Sequence, residues 1–188
     1  GNAVSLSKAK KQISIGQPKS LGKIVEPGSR VFATGDWDGN RKPDLISISK
    51  DGDMWLHSGT DKGFASKRRI GHGWNTINSV VTGLDWDGDG NKDVIGRVAR
   101  DGRLILYPGN GKGTFKRARQ IGHGWHGFTR LVGVSKFMHG RPAILAQNKQ
   151  GGLFTYAGNG RGRFAEIFQS GWNWGSIHTL IGAKDWTA

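Results

Sequence analysis

The 188-residue chain has no cysteine, which rules out disulfides and thiolate metal sites. Proline (5 residues) and tyrosine (2) are scarce, and acidic residues are outnumbered, 14 Asp and Glu against 28 Lys and Arg. No run approaches the ~18 apolar residues of a membrane-spanning helix, and no stretch carries the apolar period of an amphipathic helix. These absences argue against a disulfide-stapled miniprotein, a helical bundle and a transmembrane helix. They leave the compartment open, because a well-paired β-architecture needs no staples outside a cell. No secretory signal is visible, and the opening Gly1-Asn2-Ala3 is compatible with a leader removed upstream.

What the chain has in abundance is glycine, 32 residues, together with 8 tryptophans. The glycines follow no collagen period. They cluster between short apolar runs, as tight turns joining many strands do. The net charge of +14 is carried unevenly, with the acids concentrated in two aspartate-rich segments. Such a surface attracts polyanions such as nucleic acid, acidic glycan or teichoic acid, and also serves solubility.

The dominant signal is internal repetition. Asp36-Trp37-Asp38-Gly39-Asn40 returns as Asp85-Trp86-Asp87-Gly88-Asp89. Ser58–Phe64 returns as Pro108–Phe115 and as Ala157–Phe164, and Ile70-Gly71-His72-Gly73-Trp74 as Ile121-Gly122-His123-Gly124-Trp125 and, loosely, Ser170-Gly171-Trp172. A period of about fifty residues marks an array of one supersecondary unit. Within each unit the pattern predicts four short strands. In the second these are Ser79–Thr82, Asp93–Ala99, Leu104–Tyr107 and Phe115–Ile121, with a hairpin at Asp101-Gly102. The expected fold is therefore all-β, a β-propeller of four-stranded antiparallel blades. Its units are 31–78, 79–129, 130–178 and a partial 179–188, and residues 1–30 contribute an outer strand. The two termini are expected to share one incomplete blade, or a second copy to complete the ring.

The aspartate loops carry the clearest chemistry. Asp85, Asp87, Asp89 and Asp93 occupy loop positions 1, 3, 5 and 9, with the Asn91 carbonyl at position 7. Alternate residues of a tight loop point inward, and clustered carboxylates repel unless a hard cation sits among them, which makes Ca²⁺ the expected ligand. Asp36, Asp38, Asn40, the Lys42 carbonyl and Asp44 repeat the scheme with three charges, which predicts a weaker site. The bland alternative is a pair of polar turns with Asp capping backbone amides. In the third unit the four acidic positions are Ser135, Phe137, His139 and Ala143, so no metal is expected there.

An aspartate loop, a strand, an Asp-Gly hairpin and a Gly-Asn-Gly-x-Gly-x-Phe segment together resemble the FG-GAP (VCBS-type) repeat. That family builds the calcium-binding propeller of integrin α-subunits and of many bacterial secreted proteins. The Ile-Gly-x-Gly-Trp endings are similar to a subgroup appended to exported cell-wall hydrolases. The resemblance runs over residues 31–183. It implies a secreted or cell-surface propeller with two structural calcium ions and a role in binding.

Two surfaces are candidates for that binding. Trp74, Trp125 and Trp172, with His72 and His123, offer sugar-stacking chemistry, unless the indoles plug the gaps between blades. Lys67, Arg68 and Arg69 recur in register as Lys116, Arg117 and Arg119 on the outermost strands, where they either grip an anionic polymer or guard sheet edges. No nucleophile elbow and no acid pair outside the metal loops is present, so no enzyme is expected. The expected function is a non-catalytic targeting module for cell-wall or matrix glycan or another anionic polymer. Alternatives are a protein–protein adhesion platform and an accessory domain of a cell-wall hydrolase. Nothing specific to nucleic acid is present.

Overall fold

The computed structural model describes residues 24–177 together with 179 and 180. The first unit is a sheet of β1 (Arg30–Gly35), β2 (Asp44–Ile48) and β3 (Met54–His57). A two-strand ribbon, β4 (Gly59–Thr60) and β5 (Gly63–Phe64), precedes its outer strand β6 (Arg68–Gly71). The second unit is β7 (Ile77–Leu84), β8 (Asp93–Val98), β9 (Leu104–Tyr107) and β10 (Arg119–Gly122). The third is β11 (Phe128–Val134), β12 (Ala143–Asn148), β13 (Leu153–Gly158) and β14 (Phe164–Gly171).

Each unit is thus a four-stranded antiparallel meander in spatial order of the chain, which is a propeller blade. The inner strands lie side by side, β7 between β1 and β11, and Thr82 Oγ1 donates to Ala33 O at 2.8 Å across the first pair. Thr179 and Leu180 form no strand. Of the segment 1–30, residues 24–29 form no strand and Arg30 opens β1. Residues 1–23, where the expected outer strand would lie, and the rest of the fourth unit fall outside the described residues.

The core lies between blades rather than within them. One apolar cluster joins Trp37, Ile46, Met54, Leu56 and Trp74 of blade one to Ile77 and Val94 of blade two. The other joins Trp86, Ile95, Leu104, Leu106 and Trp125 to Leu131, Ile144 and Ala146 of blade three. A central strand with neighbours on both faces must be apolar on both. β8 accordingly reads as an almost unbroken buried run instead of alternating.

Each blade closes with one 3-10 turn that begins at a tryptophan: Trp74–Thr76, Trp125–Gly127 and Trp174–Ser176. The tryptophan N–H donates to the hairpin carbonyl of its own blade, Gly52, Gly102 or Gly151, at 2.9, 3.0 and 2.9 Å. The preceding residue must be left-handed. Gly73 and Gly124 stand there at φ 75°, and Asn173, one of the few other residues that tolerates this region, at φ 62°. A side chain from the second or first strand also bonds the carbonyl of each turn's tryptophan: Arg30 on Trp74 O, Arg97 on Trp125 O and Gln147 on Trp174 O.

Candidate functional site

Both aspartate loops bridge the first and second strands of their blades. In the second, Asp93 opens β8 and is 1% exposed. Its Oδ2 accepts the N–H groups of Trp86 (2.8 Å) and Asp87 (3.2 Å), and its Oδ1 accepts that of Gly109 (2.9 Å). Burial, reinforced by the Asp87 charge, pushes the Asp93 carboxyl up to about 6 against the pull of those three amides. Asp44 repeats the arrangement with Trp37, Asp38 and Gly59 at 2.7, 3.2 and 2.7 Å. Position 9 is thus a staple that ties the acidic loop to the start of the next connection. Only glycine fits at its far end, since a Cβ on Gly109 would lie 2.1 Å from Lys92 O. In blade three the staple has gone. Ala143 is buried in its place, and the Gly158 N–H turns to the Pro142 carbonyl at 2.7 Å.

The remaining carboxylates form the candidate cation sites. Oxygens of Asp85, Asp87 and Asp89 lie within 4.8 Å of one another, as do those of Asp36, Asp38 and Asp44. Asp85 is turned inward by three backbone N–H groups, from Gly88, Asp89 and Gly90. Asp36 likewise accepts from Gly39 and Arg41. Asp87 Oδ1 is buried with no hydrogen-bond partner, an orphaned acceptor beside two other carboxylates. That donor set fits a hard divalent cation. In loop one Asn40 instead turns its amide to Gly59 O, and Lys42 pairs with Asp61.

The sequence ranked the second loop as the stronger site on the strength of a fourth carboxylate. Asp93 and Asp44 are engaged alike by backbone amides, so the difference between the loops is Asp89, which stands where loop one has Asn40. Lys116 pairs with Asp89, and Arg119 Nη2 lies 3.5 Å from Asp87 Oδ2. Loop one has Ala65 at the position of Lys116, each donating its N–H to the equivalent carbonyl, Ser58 O or Pro108 O.

The residues expected to hold a ligand separate into two groups. Trp74 and Trp125 are each 5% exposed. Trp74 packs on Tyr107 of the next blade at 4.6 Å between centroids, and Trp125 on Tyr156 at 4.3 Å. They plug the gaps between blades and present no stacking face to a ligand. Their counterpart in blade three is Trp174. Trp172 occupies the place of His72 and His123 and is 70% exposed. His72 and His123 are also exposed. Trp37 and Trp86 inside the acidic loops meet Phe115 and Phe164 of the following blades edge-on, both at 5.2 Å.

The basic ring is largely compensated from within. Lys67 pairs with Glu26, Arg69 with Asp53, Lys116 with Asp89 and Arg119 with Asp87. Arg68 donates to Gly113 O of the next blade at 3.1 Å, while Arg117 is exposed. In blade three the Asp87–Arg119 pair becomes Phe137 and Phe168, with centroids 6.2 Å apart. The outer strand β14 leaves Ile167 and Phe168 exposed.

Residues 36–96 match the family model described as the FG-GAP-like repeat. The chain carries an FG-GAP-like repeat. The matched span takes in both acidic loops of the repeat and the first inter-blade contact. No curated protein matches the chain. Among solved structures, an Agrocybe aegerita lectin described as recognising non-reducing terminal N-acetylglucosamine is similar, with a TM-score of 0.57 at 18% identity. The match covers 78% of this chain but only 39% of the lectin, and at that identity it shows the fold alone. The propeller reading of the repeats thus has a solved counterpart.

One surface feature had escaped the sequence reading. A groove of about 740 Å³ lies beside the Trp74–Thr76 turn, bordered by Ile77, Val98, Ile105 and Tyr107 and by Arg100 and Arg103 of the second hairpin. Its signal was the length of that hairpin. The N–H to C=O bond that closes it spans Val98–Arg103, one residue more than Ser49–Asp53 or Asn148–Gly152.

Proposed function

We propose that this chain is a non-catalytic carbohydrate-binding module of a secreted or cell-surface protein, with Ca²⁺ holding its acidic loops. The observation that carries the reading is the position of those loops. The Trp86 that each turn of chain around Asp85–Asp93 encloses is packed against Phe164, and Gly162 N–H donates to Trp86 O at 3.1 Å. A cation held by Asp85, Asp87 and Asp89 would therefore brace one blade against the next and take no part in chemistry. Likeness to a lectin propeller and to FG-GAP-like repeats supports glycan as the ligand class. The net charge of +14 favours an acidic polymer such as cell-wall glycan.

Retention on purified bacterial cell walls, at low and high salt and with or without EDTA, tests this function. Retention that survives high salt and weakens with EDTA is expected. Equal retention on DNA and cell walls, lost together at high salt, would reduce the activity to plain electrostatics. A second reading, a protein adhesion platform, is favoured by the exposed Ile167, Phe168 and Trp172 of blade three. Capture of protein but not of deglycosylated or glycosylated polymer would support it.

A further inference from the structure

The two inter-blade gaps are built alike and filled differently. Between blades two and three, Phe128 sits 5.9 Å from Phe154 and 5.7 Å from Tyr156, closing the space beside the Trp125 turn. Between blades one and two, the positions of Phe128 and Phe154 are taken by Ile77 and Ile105, as their strand pairings show. The smaller side chains leave the groove floored by Ile105 and one side of Tyr107.

Its rim is also unlike the other two. The residue just before the third strand is Asp53 in blade one and Gly152 in blade three, but Arg103 in blade two. The longer hairpin carries Arg100 before its Asp-Gly turn, where the shorter ones carry Lys50 and Lys149. Both guanidiniums share one carboxylate, Asp101, at 3.1 and 3.0 Å, so one positive charge remains uncompensated within the hairpin. Arg100 is largely exposed and Arg103 partly so.

Resting on the carbohydrate-binding reading, we propose that this groove is a site for an acidic sugar. The apolar face of the pyranose would lie over Tyr107 and Ile105, and its carboxylate would face Arg103 and Arg100. The chemistry follows from the parts. A half-buried aromatic and an aliphatic side chain offer a flat apolar floor, and a guanidinium fork matches a two-oxygen planar anion better than an ammonium does. The pattern belongs to blade two alone, so one such site is expected among the described residues.

Trigalacturonic acid and its methyl ester, which keeps the ring and removes the charge, are the probes. Calorimetric titration of the full chain is expected to show at least tenfold weaker binding of the ester. Arg103→Gln should lose the preference for acid over ester. Ile105→Phe, which imports the residue that closes the next gap, should abolish binding of both while its melting temperature stays near that of the parent. Unchanged affinity for the acid in both variants would overturn the site. So would failure of the parent to bind either probe. If the parent meanwhile stays on cell walls at high salt, the carbohydrate-binding reading stands and only the groove assignment falls.

Discussion

The Asp93 carboxylate accepts the Gly109 N–H at 2.9 Å across 16 residues of sequence. With its two bonds to Trp86 and Asp87, it links three segments of blade two through one buried group. Removing it strands three amides in a dry site, and each unsatisfied buried group costs about 1–3 kcal/mol. Asp93→Ala, measured by urea unfolding in EDTA, is expected to lose about 3 kcal/mol or more. Asp93→Asn, which keeps one acceptor oxygen, should lose less. Blade three has no such carboxylate, because the Pro142 carbonyl takes its place.

Trp125 and Trp172 are predicted to differ sharply. Deleting a buried aromatic side chain costs about 3–5 kcal/mol. Trp125→Ala, which opens the contact with Tyr156 and Phe164, should fall in that range by chemical denaturation. Trp172→Ala should change stability by less than about 0.5 kcal/mol, as for other exposed positions. Equal losses would mean that Trp125 is not an inter-blade plug.

Calcium should stabilise the chain through Asp87. The calcium-induced rise in melting temperature is expected to shrink in Asp87→Asn. It should grow in Lys116→Met, which removes the ammonium on Asp89 that competes with a cation. A smaller rise in Lys116→Met would show that the lysine supports the site.

His57 provides a pH signature. It is buried, hydrogen-bonded through Nε2 to Ser47 Oγ at 2.8 Å, and burial, with Lys67 adding repulsion, depresses its pKa below the ordinary 6.5. The unfolded chain therefore takes up a proton before the folded one as pH falls. Stability present above about 6.5 is lost progressively below it. Asp93, whose carboxyl is pushed up to about 6, works in the opposite sense over this range, so the His57 share is read by difference. From pH 7.5 to 5 the parent's denaturation midpoint should fall more, or rise less, than that of His57→Gln. An equal slope in the variant would place the pH dependence elsewhere.

Much of the fold was legible because its signals are local. Asp101-Gly102 turns a hairpin whatever surrounds it, and Leu104–Tyr107 is a strand in the chain and in space. The acidic loops were legible for the same reason, since positions 1, 3 and 5 of a tight turn converge without outside help. The third tryptophan was not. Ser170-Gly171-Trp172 looked like the repeat of Ile-Gly-His-Gly-Trp, yet Asn173 takes the left-handed position that Gly73 and Gly124 hold, which makes Trp174 the true counterpart. A sequence match scores identity, whereas the backbone asks only for a residue that tolerates positive φ.

The sequence by itself determined the order of the four sheet strands in each blade, the blade as the repeating unit and the two acidic loops, all consequences of short-range geometry and a repeated pattern. It did not determine the β4–β5 ribbon or the late start of the outer strands at Arg68 and Arg119. Tertiary structure alone decided what the side chains do across the gaps. What Asp93 and Arg119 meet is decided within their own blade, by Gly109 and Asp87, and whether an indole is a plug or a platform depends on the neighbouring blade. That neighbour stands about fifty residues away in the chain but in van der Waals contact in space, a distance no local pattern encodes.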